Sequence, residues 1–345
     1  MKVVKAGSPD FDNLWQKLFL DSEFQYPLYQ AYNIKYYEAL FEERRFEDCS
    51  FVVEEQGVPL AGLLMSIGTA PDGTNQLSGF GLPILFLEHR FAPTVQFRGA
   101  RKFIRSELDN ILHNLSSTLM IYQDYLQDSS LSVVGEYLLQ KGARATLYFT
   151  QIIDLREPEA TLYGQVRKSY KSLINWGRKN LHLKVIDGQT VVPDDVDRFR
   201  ELHLHAAGRE TRSRLTWHRQ YEMVRGGEAF AVTGELNGEL VTAALFPCSS
   251  RYCFYGVSAS KRELFDKPMS HAVIWCAMLH AKEHGCIFFE LPELRYPEQG
   301  IPLPTEKELS ISTFKHGFGG ETHVRLNMKW ERKEDFFQQV NPPRE

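Results

Sequence analysis

AFAVTGELNGELVTAALFP, residues 229–247, reads as two apolar runs on either side of Asn237-Gly238. Asn-Gly is the dipeptide that most readily forms a two-residue hairpin turn, because both residues tolerate positive φ. The stretch therefore predicts two antiparallel strands. Working outward, RYCFYGV (251–257) reads as the next strand. A helix is expected from about Pro268 to His284, with Ile274, Ala277, Met278 and Ala281 on one face. Asp266 and Pro268 suit its start and Gly285 its stop. CIFFEL (286–291) then returns as a buried strand. Upstream, between Asp187 and Glu228, there is room for two short helices, near 193–207 and 216–226.

The first half follows the same order. FVVEEQGVPLAGLLMSIG (51–68) places Gln56 and Gly57 between apolar, β-rich runs. LPILFL (82–87), an amphipathic helix from Thr94 to Leu115, a strand at TLMIY (118–122), a helix ending near Gly142 and the strand ATLYFTQII complete it. The repeat is one of element order, not residue identity, and it points to duplication followed by divergence. Alternating strands and helices predict an α/β (α+β) protein with two domains, each a mixed sheet flanked by helices. A chain of 345 residues also exceeds what one core usually supports. The expected domains are 1–155 and 156–345.

Composition narrows the classes. Hydrophobic residues make up 43% and charged residues 24%, ordinary for a globular protein. A net charge of −4 argues against a protein built to coat DNA or other nucleic acid. No run of eighteen apolar residues exists, so no integral membrane association is expected. The opening MKVVKAGSPDFDNLW has too short an apolar stretch for a signal peptide. The five cysteines form no CxxC pair, which fits reduced thiols in the cytoplasm. His280 and His284 have a zinc-compatible spacing but no third ligand nearby, and His203 and His205 would diverge on a helix; no metal site is expected. No GxSxG, Walker-type or GxGxxG motif is present.

Two stretches remain unexplained by folding alone. QVRKSYKSLINWGRKNLHLKV (165–185) carries Val166, Tyr170, Leu173 and Leu181 at helical spacing. The other face holds Arg167, Lys168, Lys171, Arg178 and Lys179, with no acidic residue between Glu159 and Asp187. Solvated faces usually mix signs because like charges at i,i+4 repel. A single-sign stripe fits an anionic ligand such as a phosphate. The second stretch, STFKHGFGG (312–320), sets Lys315 between two phenylalanines just before a run of glycines.

Together these pieces resemble one family. The order of basic helix, hairpin, Tyr-containing strand, PMSHAVIWCAMLHAKEHG helix, FFEL strand and FKHGFGG segment is similar to that of the FemAB-type tandem GNAT-like acyltransferases. The match runs through most of residues 160–330 and is architectural before that. The resemblance implies transfer of an acyl or aminoacyl group to an amine of a peptidoglycan precursor or amino sugar. It associates the lysine of the FK segment with the reaction centre. On that implication Lys315, walled by Phe314 and Phe318, stabilises negative charge growing on a carbonyl oxygen. Glu290, ending a buried strand, is the expected proton acceptor for the amine, and Tyr255 on the preceding strand an expected donor to the tetrahedral intermediate.

The donor is less defined. Acetyl-CoA enzymes of the wider GNAT group have a Gly-rich turn that cradles pyrophosphate. Here the corresponding SASKRELFDKP (258–268) has no glycine, and Lys261 and Arg262 are the expected replacements. Arg209, Arg212 and Arg214 in GRETRSR suit the pyrophosphate of a nucleotide-linked acceptor. The long helical arm of tRNA-dependent members is missing. The expectation is therefore an acyl-CoA co-substrate with no permanently bound cofactor, and a nucleotide- or lipid-linked amino sugar or cell-wall precursor as acceptor. An aminoacyl-tRNA donor, or a non-catalytic binding module, are the alternatives.

Overall fold

The computed structural model describes residues 1–22, 25–89, 94–115, 118–300 and 302–332. The chain divides into two compact units: Met1–Ser22, Phe41–Leu147 and Arg325–Glu345 form one, Glu23–Leu40 and Tyr148–Val324 the other. The division is discontinuous along the chain, where element order alone predicts one boundary after residue 155.

In the first unit Lys2–Lys5, Phe51–Glu55, Val58–Leu64 and Leu85–Glu88 pair in that order as an antiparallel sheet. The expected turn is present, with φ of 53° at Gln56 and 80° at Gly57. Arg45–Asp48, Ser66–Thr69, Asn75–Ser78, Thr118–Asp124 and the Leu326–Glu331 part of the last strand pair in a second, mixed layer. The Asn75–Ser78 and Thr118–Asp124 strands run parallel. Helices Thr94–His113 and Val133–Gln140 supply Ile104, Leu108, Val133 and Leu138 to a core shared with Phe51, Leu63, Leu77 and Met120.

The second unit repeats the plan. His182–Ile186, Ala229–Leu236, Glu239–Pro247 and Ser258–Ser260 form an antiparallel sheet in that order. Asn237 and Gly238 turn the central hairpin with φ of 52° and 82°. Tyr252–Phe254 runs parallel to Phe288–Leu294, which pairs antiparallel with Phe149–Asp154. Helix Met269–Glu283 is buried nearly all round: Ala272, Val273, Ile274, Trp275, Ala277, Met278 and Ala281 are inside. The short helices Pro193–Ala207 and Arg214–Arg225 fall where room was left for them. The early helix Ala31–Leu40 belongs here too. Its N-terminal amides at Tyr32 and Asn33 donate to the Glu228 carboxylate at 2.8 and 3.0 Å. That carboxylate satisfies donors no helical carbonyl can reach and binds a distant segment into the unit.

Two stretches differ from the reading of the sequence. The 165–185 segment is not one helix: helix Lys168–Asn180 ends, and His182–Ile186 joins the sheet. Val166 and Leu181 are buried as expected, but from either side of the helix. The second difference is STFKHGFGG. Its first five residues end a helix, Glu306–His316, and the glycines lead into strand Glu321–Glu331. No described helix is long and apolar enough to cross a membrane.

Candidate active site

Helix Glu306–His316 starts at a reciprocal cap. Glu308 N donates to Thr305 Oγ1 at 3.3 Å, and the Glu308 carboxylate accepts from Thr305 N at 2.8 Å. One turn on, Ser312 Oγ accepts from Arg295 N at 2.7 Å, which pins the helix to the chain leaving strand Phe288–Leu294. That strand loses register between Leu291 and Leu294. The bulge holds Pro292 and Glu293, with Glu293 at φ 57°. A bulge takes carbonyls out of the ladder, and they need other donors. Lys315 supplies them: Nζ donates to the Pro292 carbonyl and, at 3.1 Å, to that of Glu293.

An ammonium has three N–H groups, so one remains for an oxygen in the adjoining space. That space is a cleft of about 890 Å³, lined entirely by residues of the second unit. Lys315 and Phe314 line it with Tyr255, Ser258, Ser260, Arg262, Ser270, Glu293 and Lys307. Lys315 is 9% exposed, and its burial pulls its pKa down while the carboxylates of Glu293 and Glu290 oppose the shift. Tyr255 OH donates to Ser258 Oγ at 2.8 Å, and burial pushes its pKa up, so it keeps its proton at neutral pH. Glu293, the one carboxylate in the lining, pairs with Arg295.

The structure brings Lys315, Tyr255, Arg262 and Phe314 together and leaves the other expected residues elsewhere. Glu290 is fully buried: its oxygens accept from Thr150 Oγ1 and Tyr252 OH, each at 2.7 Å, and it does not line the cleft. Phe318 is no wall for the ammonium. It lies in the core, 5.5 Å from the Tyr170 ring, because the helix ends at His316 and the chain beyond Gly317 turns inward toward the last strand. The glycines serve packing here. A Cβ at Gly317 would run into the Tyr170 ring, and one at Gly320 (φ 78°) into the Ile152 carbonyl. Lys261 is held by Glu239 and Glu263.

Arg167, Lys168, Arg178 and Lys179 are exposed and, with Lys171, stand outside the cleft lining. Arg167 donates to the Thr313 carbonyl at 3.3 Å and Lys171 to that of Gly164 at 3.3 Å; none of the five meets a carboxylate among the described residues. Arg209 and Arg214 are exposed, also outside the lining, whereas Arg212 bonds Tyr36 OH and His203. His284 Nδ1 lies 2.8 Å from the His280 carbonyl. Lys307, Ser258, Ser260, Ser270 and Glu293 were missed. The Thr305-x-x-Glu308 signature, read as a helix start, places Lys307, Ile311, Phe314 and Lys315 on one face.

No family model and no curated protein sequence matches the chain. Solved structures do. The crystal structure of FemX superposes with a TM-score of 0.67 at 11% identity, over 95% of this chain and 97% of FemX. A tandem GNAT protein from the clavulanic acid biosynthesis pathway, solved without AcCoA, gives 0.53 at 16% identity over 97% and 99%. The C-terminal domain of a putative lysylphosphatidylglycerol synthetase from Agrobacterium fabrum gives 0.57 at 10% over 93% and 91%. The chain has the FemAB-like tandem GNAT fold.

Proposed function

We propose that this protein is an N-acyltransferase that moves an acyl group from a thioester, acyl-CoA, to the amine of a nucleotide- or lipid-linked amino sugar or a cell-wall precursor. The observation that carries this reading is the Lys315 ammonium, with two of its N–H groups spent on the bulge carbonyls and the third left for a large cleft. In the reaction the amine nitrogen bonds to the thioester carbon and the carbonyl π pair moves to oxygen. The third N–H of Lys315 donates to that oxyanion, and the Tyr255 hydroxyl joins it by turning its proton from Ser258 Oγ; a donor that the fold already fixes, as the bulge carbonyls fix Lys315, loses less on reorganisation than water. The C–S bond then breaks, the thiolate takes a proton, and the amine gives one up. Glu293 is the carboxylate placed to accept it, while Glu290 stays in the core, bonded to Tyr252 and Thr150. Arg262 and Lys307 are the cations for the donor's phosphates.

Five free cysteines fit the reducing cytoplasm in which we place the reaction. The second reading, an aminoacyl-tRNA donor, draws on the five basic residues of 167–179 that meet no described carboxylate. One experiment separates them. Incubation with acetyl-CoA and a panel of UDP- and dTDP-amino sugars is expected to release free thiol only when an amine is present. Silence across the panel, with ribonuclease-sensitive incorporation of an amino acid from charged tRNA, would favour the second reading.

A further inference from the structure

The cleft wall holds apolar surface that neither the thioester nor the phosphates use. Phe265 is 68% exposed, the highest value among the exposed large hydrophobic side chains of the described residues, and it lines the cleft. Among the described residues its ring has no aromatic or cationic partner. Its backbone is nonetheless fixed, since Phe265 N donates to the Arg262 carbonyl at 3.2 Å. Ile311, 40% exposed, lines the same cleft, as do Phe254, Phe314 and Ala206. A lone apolar residue on a convex surface means little. Several around one concavity are the usual lining of a ligand site.

Spacing says which part of the ligand they meet. Lys307, Ile311, Phe314 and Lys315 fall at i, i+4, i+7 and i+8, one face of the helix. Ile311 is one turn, about 6 Å along the axis, from Lys315. A substituent on a carbonyl held at Lys315 therefore has Ile311 one turn away on the same cleft wall.

We infer that the transferred acyl group carries an apolar chain of several carbons, seated on Ile311 and Phe265. The inference rests on the acyl-transfer reading and narrows its donor. Each methylene fully removed from water strengthens binding about fourfold, and half-covered about twofold. Six extra methylenes half-covered would give roughly 50-fold.

The test is the dissociation constant of octanoyl-CoA against that of acetyl-CoA, measured calorimetrically on the whole chain. Octanoyl-CoA is expected to bind tens of times more tightly, and the ratio to shrink towards one in Phe265→Ser and in Ile311→Ser. Phe265 is so exposed that its variant will fold, which circular dichroism verifies. Equal binding of the two thioesters overturns the chain while leaving acyl-CoA as donor. Failure of both to bind removes the acyl-CoA reading itself. A parallel series of ethylamine and octylamine as acceptors separates the remaining source. If chain length matters there and not among the thioesters, the wall belongs to the acceptor and the inference falls.

Discussion

Truncating Lys315 to alanine removes a charge, a cleft donor and two structural hydrogen bonds at once. The carbonyls of Pro292 and Glu293 would lose a charged donor, a loss of about 1–3 kcal/mol. Lys315→Ala should therefore lower the melting temperature as well as activity, which differs from what a simple cleft lysine would do. A cleaner probe is pH. Burial holds the folded pKa below the ordinary 10.5, so the unfolded chain binds this proton more tightly. Between the two values stability rises with pH, while kcat falls as the ammonium empties through the folded pKa. Lys315→Arg, charged throughout, should lose that alkaline limb, and its persistence would assign the limb to another group. At this scale the sequence was half legible. Lys315, Tyr255 and Phe314 could be named from an adjacent pattern. Glu293 could not, because only the bulge after Leu291 aims it at the cleft, and Glu290 has the more conspicuous place in its strand.

The elements read well wherever turn chemistry and hydrophobic period agreed, as at Asn237-Gly238 and in the helix after Pro268. Helix Glu306–His316 escaped because its buried residues are Ser312 and Lys315, so no apolar stripe marks it. Its one local signal was the Thr305–Glu308 cap. Thr305→Ala should cost about 1 kcal/mol, read as a fall in the denaturant midpoint at constant slope. Gly317→Ala should cost more, about 1–3 kcal/mol, since Tyr170 occupies the place of the new methyl. The strand His182–Ile186 was hidden for a related reason: it follows the helix with only Leu181 between them, and Leu181 continues the helical period while capping the helix. Among the cations, those on the cleft should matter to the donor and those on helix Lys168–Asn180 should not. Arg262→Ala should weaken CoA binding roughly tenfold, while reversing Arg178 and Lys179 leaves it within about twofold.

At the scale of the molecule, every residue lining the cleft comes from one unit, although that unit borrows Glu23–Leu40 from the start of the chain. Element order foretold two units of one plan. It could not foretell the borrowing, which rests on contacts across a long sequence gap: Glu228 meets the amides of Tyr32 and Asn33, and Tyr36 packs into the unit's core. A thioester donor carries few charges, so its affinity should fall only shallowly between 50 and 200 mM salt, values at which a tRNA ligand would lose orders of magnitude. The most direct measurement is amine-dependent thiol release by Lys315→Gln against the unchanged chain, with melting temperatures beside it. Glutamine keeps N–H donors for the bulge but carries no charge. The predicted result is a fall in kcat of roughly 10²–10³ with KM and melting temperature nearly unchanged. Unchanged kcat, or a fall in activity that only follows a fall in melting temperature, would contradict the account.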